Sequence, residues 1–151
     1  MSHNLLSAYF ILLIISLGLA ACSPSESSTA FFGEDEPVSR PEIPEQYNGL
    51  GNTYIDDPIA ISAGETLFEA NCSSCHGLTG EGDGPASGGM VPPPGNLALR
   101  QVNLSDAYLY WRISEGGLME PFNSIMPGWK GMLDNQSIWQ IISYIRTMVV
   151  L

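Results

Sequence analysis

With 151 residues the chain has room for one modest domain, not two. Sixteen acidic residues against five basic ones give a formal charge of −11, the wrong sign for a nucleic-acid binder, so that class is excluded. The excess is uneven. Up to Asp57 the carboxylates are Glu26, Glu34, Asp35, Glu36, Glu42, Glu45, Asp56 and Asp57, against Arg40 alone. From Pro58 onward the chain is only mildly acidic.

The N-terminus reads as an address. Leu5 to Ala21 is almost wholly apolar and runs straight into Cys22. This is the hydrophobic region of a secretory signal over residues 1–21, to be left out of fold reasoning. Leu19-Ala20-Ala21-Cys22 resembles the bacterial lipobox, which implies lipidation of Cys22 and membrane attachment through several acyl chains. Met1-Ser2-His3-Asn4 departs from that pattern by lacking Lys and Arg. The rival is an uncleaved membrane helix, of marginal length against the roughly 20 residues a span needs. Both readings place the rest of the chain outside the cytoplasm, on a membrane.

Residues 22–57 read as an acidic flexible tether. Ser-Pro-Ser-Glu-Ser-Ser-Thr opens it, and Pro37, Pro41 and Pro44 recur along it. A segment this acidic and poor in apolar residues buries too little surface to offset its ordering entropy, so disorder is expected. Phe31 and Phe32 are out of character there: either two stray apolar residues or a short docking segment.

The folded domain is expected over residues 58–151 as three main helices. The first starts at Ser62, where Ser-Ala-Gly-Glu forms a capping box, and runs toward the cysteines. Gly80 to Asn96 is rich in Gly and Pro and reads as loop. The second helix starts near Ser105, with Leu104 and Leu109 as a hydrophobic staple, and stops at Gly116-Gly117. The third is capped by Asp134, and Ile138, Ile142, Ile145 and Val149 form its apolar stripe. No period-2 strand pattern stands out, so the domain is all-α. Such a small domain has difficulty building a sufficient core alone, and a large apolar cofactor would complete it.

Cys72-Ser73-Ser74-Cys75-His76 is the c-type haem attachment pattern. Two thiols three positions apart on one helical turn reach the two vinyl groups of a haem, and the next residue, His76, ligates the iron. A thioredoxin-like motif would sit near a βαβ pattern, which is lacking. A zinc site wants four ligands. The only other His is His3, inside the signal, and Cys22 is the only other Cys. For the far side of the iron the chain offers Met90, Met119, Met126, Met132 and Met148. A methionine is by default core filling. Met119 and Met126 lie in the loop between the second and third helices, and Pro127-Gly128-Trp129 fixes the backbone after Met126. Met126 is therefore the expected distal ligand and Met119 the next candidate.

From about Ile61 to Val149 the chain resembles a bacterial class I, mono-haem cytochrome c. The resemblance is carried by Cys72-Ser73-Ser74-Cys75-His76-Gly77, by Gly80-Glu81-Gly82-Asp83-Gly84-Pro85-Ala86, by Leu104 to Trp111 and by Met126-Pro127-Gly128-Trp129. It implies short helices packed around one covalent haem c, attached at Cys72 and Cys75. His76 would be the proximal and Met126 the distal ligand. It implies that a proline carbonyl, from Pro92, Pro93 or Pro94, holds the other ring nitrogen of His76. It implies a crossing of first and last helices through Gly64 and Phe68, facing Ile142, Tyr144 and Ile145. Trp129, Trp111 and Tyr108 are expected to line the haem, though an aromatic at helical spacing is core by default. Arg100, Arg112 and Lys130 are weaker candidates for a propionate partner, each by default a surface charge.

The expected function is electron transfer between redox protein partners, an oxidase, reductase or dehydrogenase, with no catalysis of its own. Two alternatives stand beside a mobile carrier. One is a fixed subunit of a respiratory complex such as alternative complex III. The other is a haem enzyme or gas sensor with a labile sixth ligand.

Overall fold

The computed structural model describes residues 40–149. The apolar run Leu5–Ala21, Cys22, Phe31 and Phe32 lie outside the described residues. Among these described residues five α-helices follow one another: α1 (Pro58–Asn71), α2 (Ser73–His76), α3 (Leu97–Arg100), α4 (Asp106–Glu115) and α5 (Asn135–Thr147). Single 3-10 turns occupy Glu45–Tyr47 and Gln101–Asn103. Among the described residues there is no strand, only an isolated bridge between Lys130 and Leu133.

Local chemistry sets the helix ends. α4 begins where the Ser105 side chain accepts from the Tyr108 N–H, and ends at Gly116, as expected from sequence. α5 begins where Asp134 accepts from the Ser137 N–H. α1 begins four residues earlier than the Ser62 capping box suggested. Asp57 caps it, accepting from Ile59 (2.8 Å) and more weakly from Ala60 (3.4 Å), and Pro58 takes the first helical position, where no N–H is needed. The Ser62 carbonyl then serves inside the helix, accepting from the Thr66 hydroxyl.

α1 and α5 make the most extensive contact in the fold. Gly64 is the point of closest approach: a Cβ there would stand 1.9 Å from the Gln140 carbonyl oxygen. The expected contact is thus real, but Gly64 meets the backbone of Gln140 and Ile141 rather than the side chains of Ile142 and Ile145. One turn on, the fully buried Phe68 ring packs on Tyr144, centroids 5.5 Å apart. Ile138, Ile141, Ile142 and Ile145 fill the core from α5. Val149 does not extend the stripe; α5 has ended at Thr147, and Val149 is exposed.

The expected tether over residues 22–57 is corrected from Arg40 onward. Residues 40–57 belong to the compact unit and run along α4 and α5 as a strap. Tyr47 is buried against Tyr110, and its hydroxyl donates to the Glu115 carboxylate. Asn52 donates to the Ser143 hydroxyl (2.9 Å) and to the Trp139 carbonyl (3.1 Å). The single hydrogen of the Ser143 hydroxyl in turn lies within reach of the carbonyls of Tyr54 (3.0 Å) and Trp139 (3.1 Å). Disorder was expected because charge was averaged over the whole segment. A few well-placed aromatic and amide side chains outweigh that average.

Candidate haem site

Cys72 joins α1 to α2, and Cys75 and His76 follow on one helical turn. The turn is closed by N–H bonds from Cys75 (3.1 Å) and His76 (2.9 Å) to the Cys72 carbonyl. Both cysteines are free thiols, partly buried. Burial, and after it the neighbouring Cys75, pushes the Cys72 thiol up to about 12.

The loop after His76 wraps this turn and satisfies its carbonyls. Gly82, Gly84 and Ala86 donate their N–H groups to His76, Cys75 and Ser74, at 2.8, 3.2 and 2.8 Å. Gly84 has to be a glycine: a Cβ would stand 2.4 Å from the Ser74 carbonyl oxygen. The Gly80–Ala86 segment is therefore a backbone cradle for the attachment turn.

The His76 ring is held through Nδ1, which donates to the Gly95 carbonyl at 3.3 Å. This corrects the expected proline. The carbonyl of Pro94 instead lies against Gly82, where a Cβ would meet it at 2.5 Å. The acceptor comes one residue later, on the residue just before Asn96, whose side chain caps α3. No side chain marks a backbone acceptor, so Gly95 was invisible to motif reading. Burial depresses the His76 pKa, while the bond to Gly95 works the other way. A neutral imidazole with Nδ1 engaged presents Nε2 as the metal-binding atom.

Met126 sits in the loop between α4 and α5, and its backbone is pinned on both sides. Its carbonyl accepts from Gly117 (2.9 Å). Three and four residues on, the Trp129 and Lys130 N–H groups donate to Ile113 and Ser114, both at 3.0 Å. These are carbonyls that the end of α4 leaves without helical partners. Trp129 packs against the core, as do Tyr108 and Met126, all partly buried. Trp111 is buried, edge-on to Phe122. The remaining methionines fall elsewhere: Met132 is exposed, and Met148 is buried with its sulfur against Gly80. Of the three cations considered for a propionate, Lys130 pairs with Glu115 at 3.2 Å, Arg100 is exposed beside Gly95, and Arg112 is half-buried against Phe122.

Among the described residues no three His, Cys, Asp or Glu side chains converge on one point, as a zinc ion would require. The donor set fits a haem instead. Two thiols on one turn can form thioethers, an oriented imidazole offers one nitrogen, and aromatic and apolar side chains stand nearby.

A small all-α domain with this turn at the end of its first long helix defines a haem-binding electron-transfer protein. The chain belongs to the cytochrome c family, whose sequence model matches residues 61–149. It is 29% identical over 133 residues to the cbb3-type cytochrome c oxidase subunit CcoP of Azospirillum sp., covering 83% of this chain and 42% of that subunit. The chain thus spans about two fifths of the oxidase subunits it matches. Cytochrome c-554(547) of Halothiobacillus neapolitanus is 29% identical over 89 residues, covering 58% of this chain and 94% of that protein. The crystal structure of cytochrome cL from Methylophaga aminisulfidivorans superposes with a TM-score of 0.52 at 28% identity, over 73% of this chain and 67% of that one. The cofactor of the family is covalent haem c, which supplies one-electron redox chemistry when bound.

Proposed function

We propose that this protein is a six-coordinate electron carrier, with the haem joined to Cys72 and Cys75 and ligated by His76 and Met126. The observation that carries this reading is the fixation of the His76 ring and of the Met126 backbone. His76 Nδ1 is taken by Gly95, leaving Nε2, and Met126 is pinned between Gly117 and the end of α4. A haem held by both His76 and Met126 would offer no open site to a substrate, and a methionine ligand would raise its potential. Pro94 supports the His76 side only through its contact with Gly82, and Trp129 supports the Met126 side.

The reading includes export and a lipid anchor at Cys22, which put the domain on the extracytoplasmic face of a membrane, within reach of redox protein partners. Among the described residues no helix is long and apolar enough to cross a membrane. Intact mass of the purified protein tests signal cleavage, acylation and covalent haem together; a mass without haem overturns the assignment. Far-red absorption of the oxidised protein tests the sixth ligand. A weak sulfur-to-iron band, lost in Met126→Ala, supports the carrier. Its absence, with ready carbon monoxide binding by the reduced form, supports an enzyme or sensor.

A second reading has its own observation: the similarity to oxidase subunits. The chain would then be a fixed haem subunit of a larger complex. Native-size analysis after mild detergent extraction separates the two, since a single small species excludes the fixed subunit.

A further inference from the structure

Arg112 is a half-buried cation with no carboxylate within ion-pair distance among the described residues. Among the described residues the ion pairs are Lys130–Glu115 and Arg146–Asp106. Burial lowers the Arg112 pKa. Its guanidinium faces three groups of the α4–α5 loop instead. The carbon of the guanidinium lies 3.3 Å from the centroid of the Phe122 ring. Nη1 donates to the Gly116 carbonyl and stands 4.0 Å from the Met119 sulfur.

All three partners share one loop with Met126. That loop is closed on itself: the Gly117 N–H donates to Met126 (2.9 Å), and the Ser124 N–H donates to Gly117 (2.8 Å). Its outer lobe is a turn in which the Phe122 N–H reaches the Met119 carbonyl at 3.0 Å. Arg112 therefore holds the base of the loop through Gly116 and the lobe through Phe122 and Met119. The loop carries two thioethers, Met119 and Met126, seven residues apart. The approach of Nη1 to the Met119 sulfur draws that thioether toward the guanidinium, and the neighbouring ring adds a cation–π attraction that keeps the arginine in place.

We propose that Arg112 is the positioning residue that decides which methionine ligates the haem iron, by engaging Met119 and clamping the lobe so that Met126 alone is available. The inference rests on the His76–Met126 reading. It predicts that the identity of the ligand, and not only the stability of the domain, depends on a residue that is not itself a ligand.

The test uses haem-loaded full-length protein. The readouts are the far-red band of the oxidised form and the strongly shifted ligand-methionine methyl resonance in the proton NMR spectrum of the reduced form. Wild type is expected to show one such methyl, absent in Met126→Ala. Arg112→Leu is expected to add a second shifted methyl set and to lose the far-red band at lower denaturant. Arg112→Lys keeps a cation but loses the planar fork, and should give the same second set at smaller amplitude. Adding Met119→Leu to either variant should restore a single set. A single unchanged methyl in both Arg112 variants overturns the inference, even where the domain is less stable overall. A wild type with neither the shifted methyl nor the band overturns the underlying ligand assignment instead.

Discussion

The two sides of this domain are held together by different means. On one side α1 crosses α5 at backbone contact, sealed by Phe68, Tyr144 and the isoleucines of α5, with the 40–57 strap bonded to α5 and α4. In the ligand-bearing segments, by contrast, the 77–96 loop is tied to the attachment turn and the loop carrying Met126 is tied to the end of α4, in each case mainly through backbone N–H groups on carbonyls. The helix crossing can form from its own side chains. The loops leave Cys72, Cys75 and His76 only partly covered. The contrast places fold stability on the crossing and redox properties on the loops, so mutations on the two sides should separate into different phenotypes.

The largest break is expected at Gly64. Any side chain there meets the Gln140 carbonyl, backbone that cannot move aside without separating α1 from α5. Gly64→Leu should cost about 3 kcal/mol or more and fail to yield folded haem protein, by the usual scale of overpacking. Denaturant unfolding and haem yield read it, and a Gly64→Leu variant with wild-type midpoint would show that the helices do not meet there.

Next is Ser143, whose side chain is fully buried in the strap network. Ser143→Val leaves the Tyr54 carbonyl and an Asn52 amide hydrogen without their partner, a loss of about 1–3 kcal/mol. The far-red band of the folded fraction should be unchanged, because the change lies on the crossing side. A band altered in proportion to the stability loss would dissolve the distinction between the two sides.

These two positions also show what the sequence makes legible. Ser105 and Asp134 announce their helices because a cap is local: its acceptor and donor lie three residues apart. The Cys72–His76 pattern is local in the same way. Asp57-Pro58 is an equally local start signal, but the Ser62/Glu65 pattern four residues on competed with it. The strap was misread because its partners are remote: Asn52 meets Ser143, and Tyr47 meets Glu115. Nothing in an acidic, proline-containing stretch announces that one tyrosine and one asparagine will be matched elsewhere. Gly95 was missed for another reason. Its contribution to the site is a carbonyl oxygen, which every residue has.

A smaller and pH-dependent effect is expected at Tyr47. Its hydroxyl donates to Glu115 and is the main cause of that carboxyl's depressed pKa, with Lys130 assisting. A carboxyl with a folded pKa below its unfolded one adds stability above the unfolded value, and this is lost as pH falls through the folded value. Tyr47→Phe should therefore cost about 1 kcal/mol near neutrality, since Glu115 is partly exposed and solvent screens the bond. The cost should shrink as the solution is acidified below the ordinary carboxyl range. Urea titrations of both proteins across that range read it, and a cost that grows on acidification would contradict the Tyr47–Glu115 bond.

The smallest effect belongs to Lys130, although it completes the same cluster. Its ammonium reaches Glu115 at 3.2 Å, but the lysine side chain is 71% exposed, and salt and water compete for both partners. Its backbone matters more than its charge, because the Lys130 N–H is one of the bonds that tie the Met126 segment to the end of α4. Lys130→Ala keeps that N–H and should leave both the unfolding midpoint and the far-red band where they are. Lys130→Pro removes the N–H while deleting the same charge. It should weaken the band and bring its loss to lower denaturant than in the alanine variant. If the two variants behave alike, the hold on Met126 comes from the side chains of the loop and not from the helix end, and the weight shifts to Arg112.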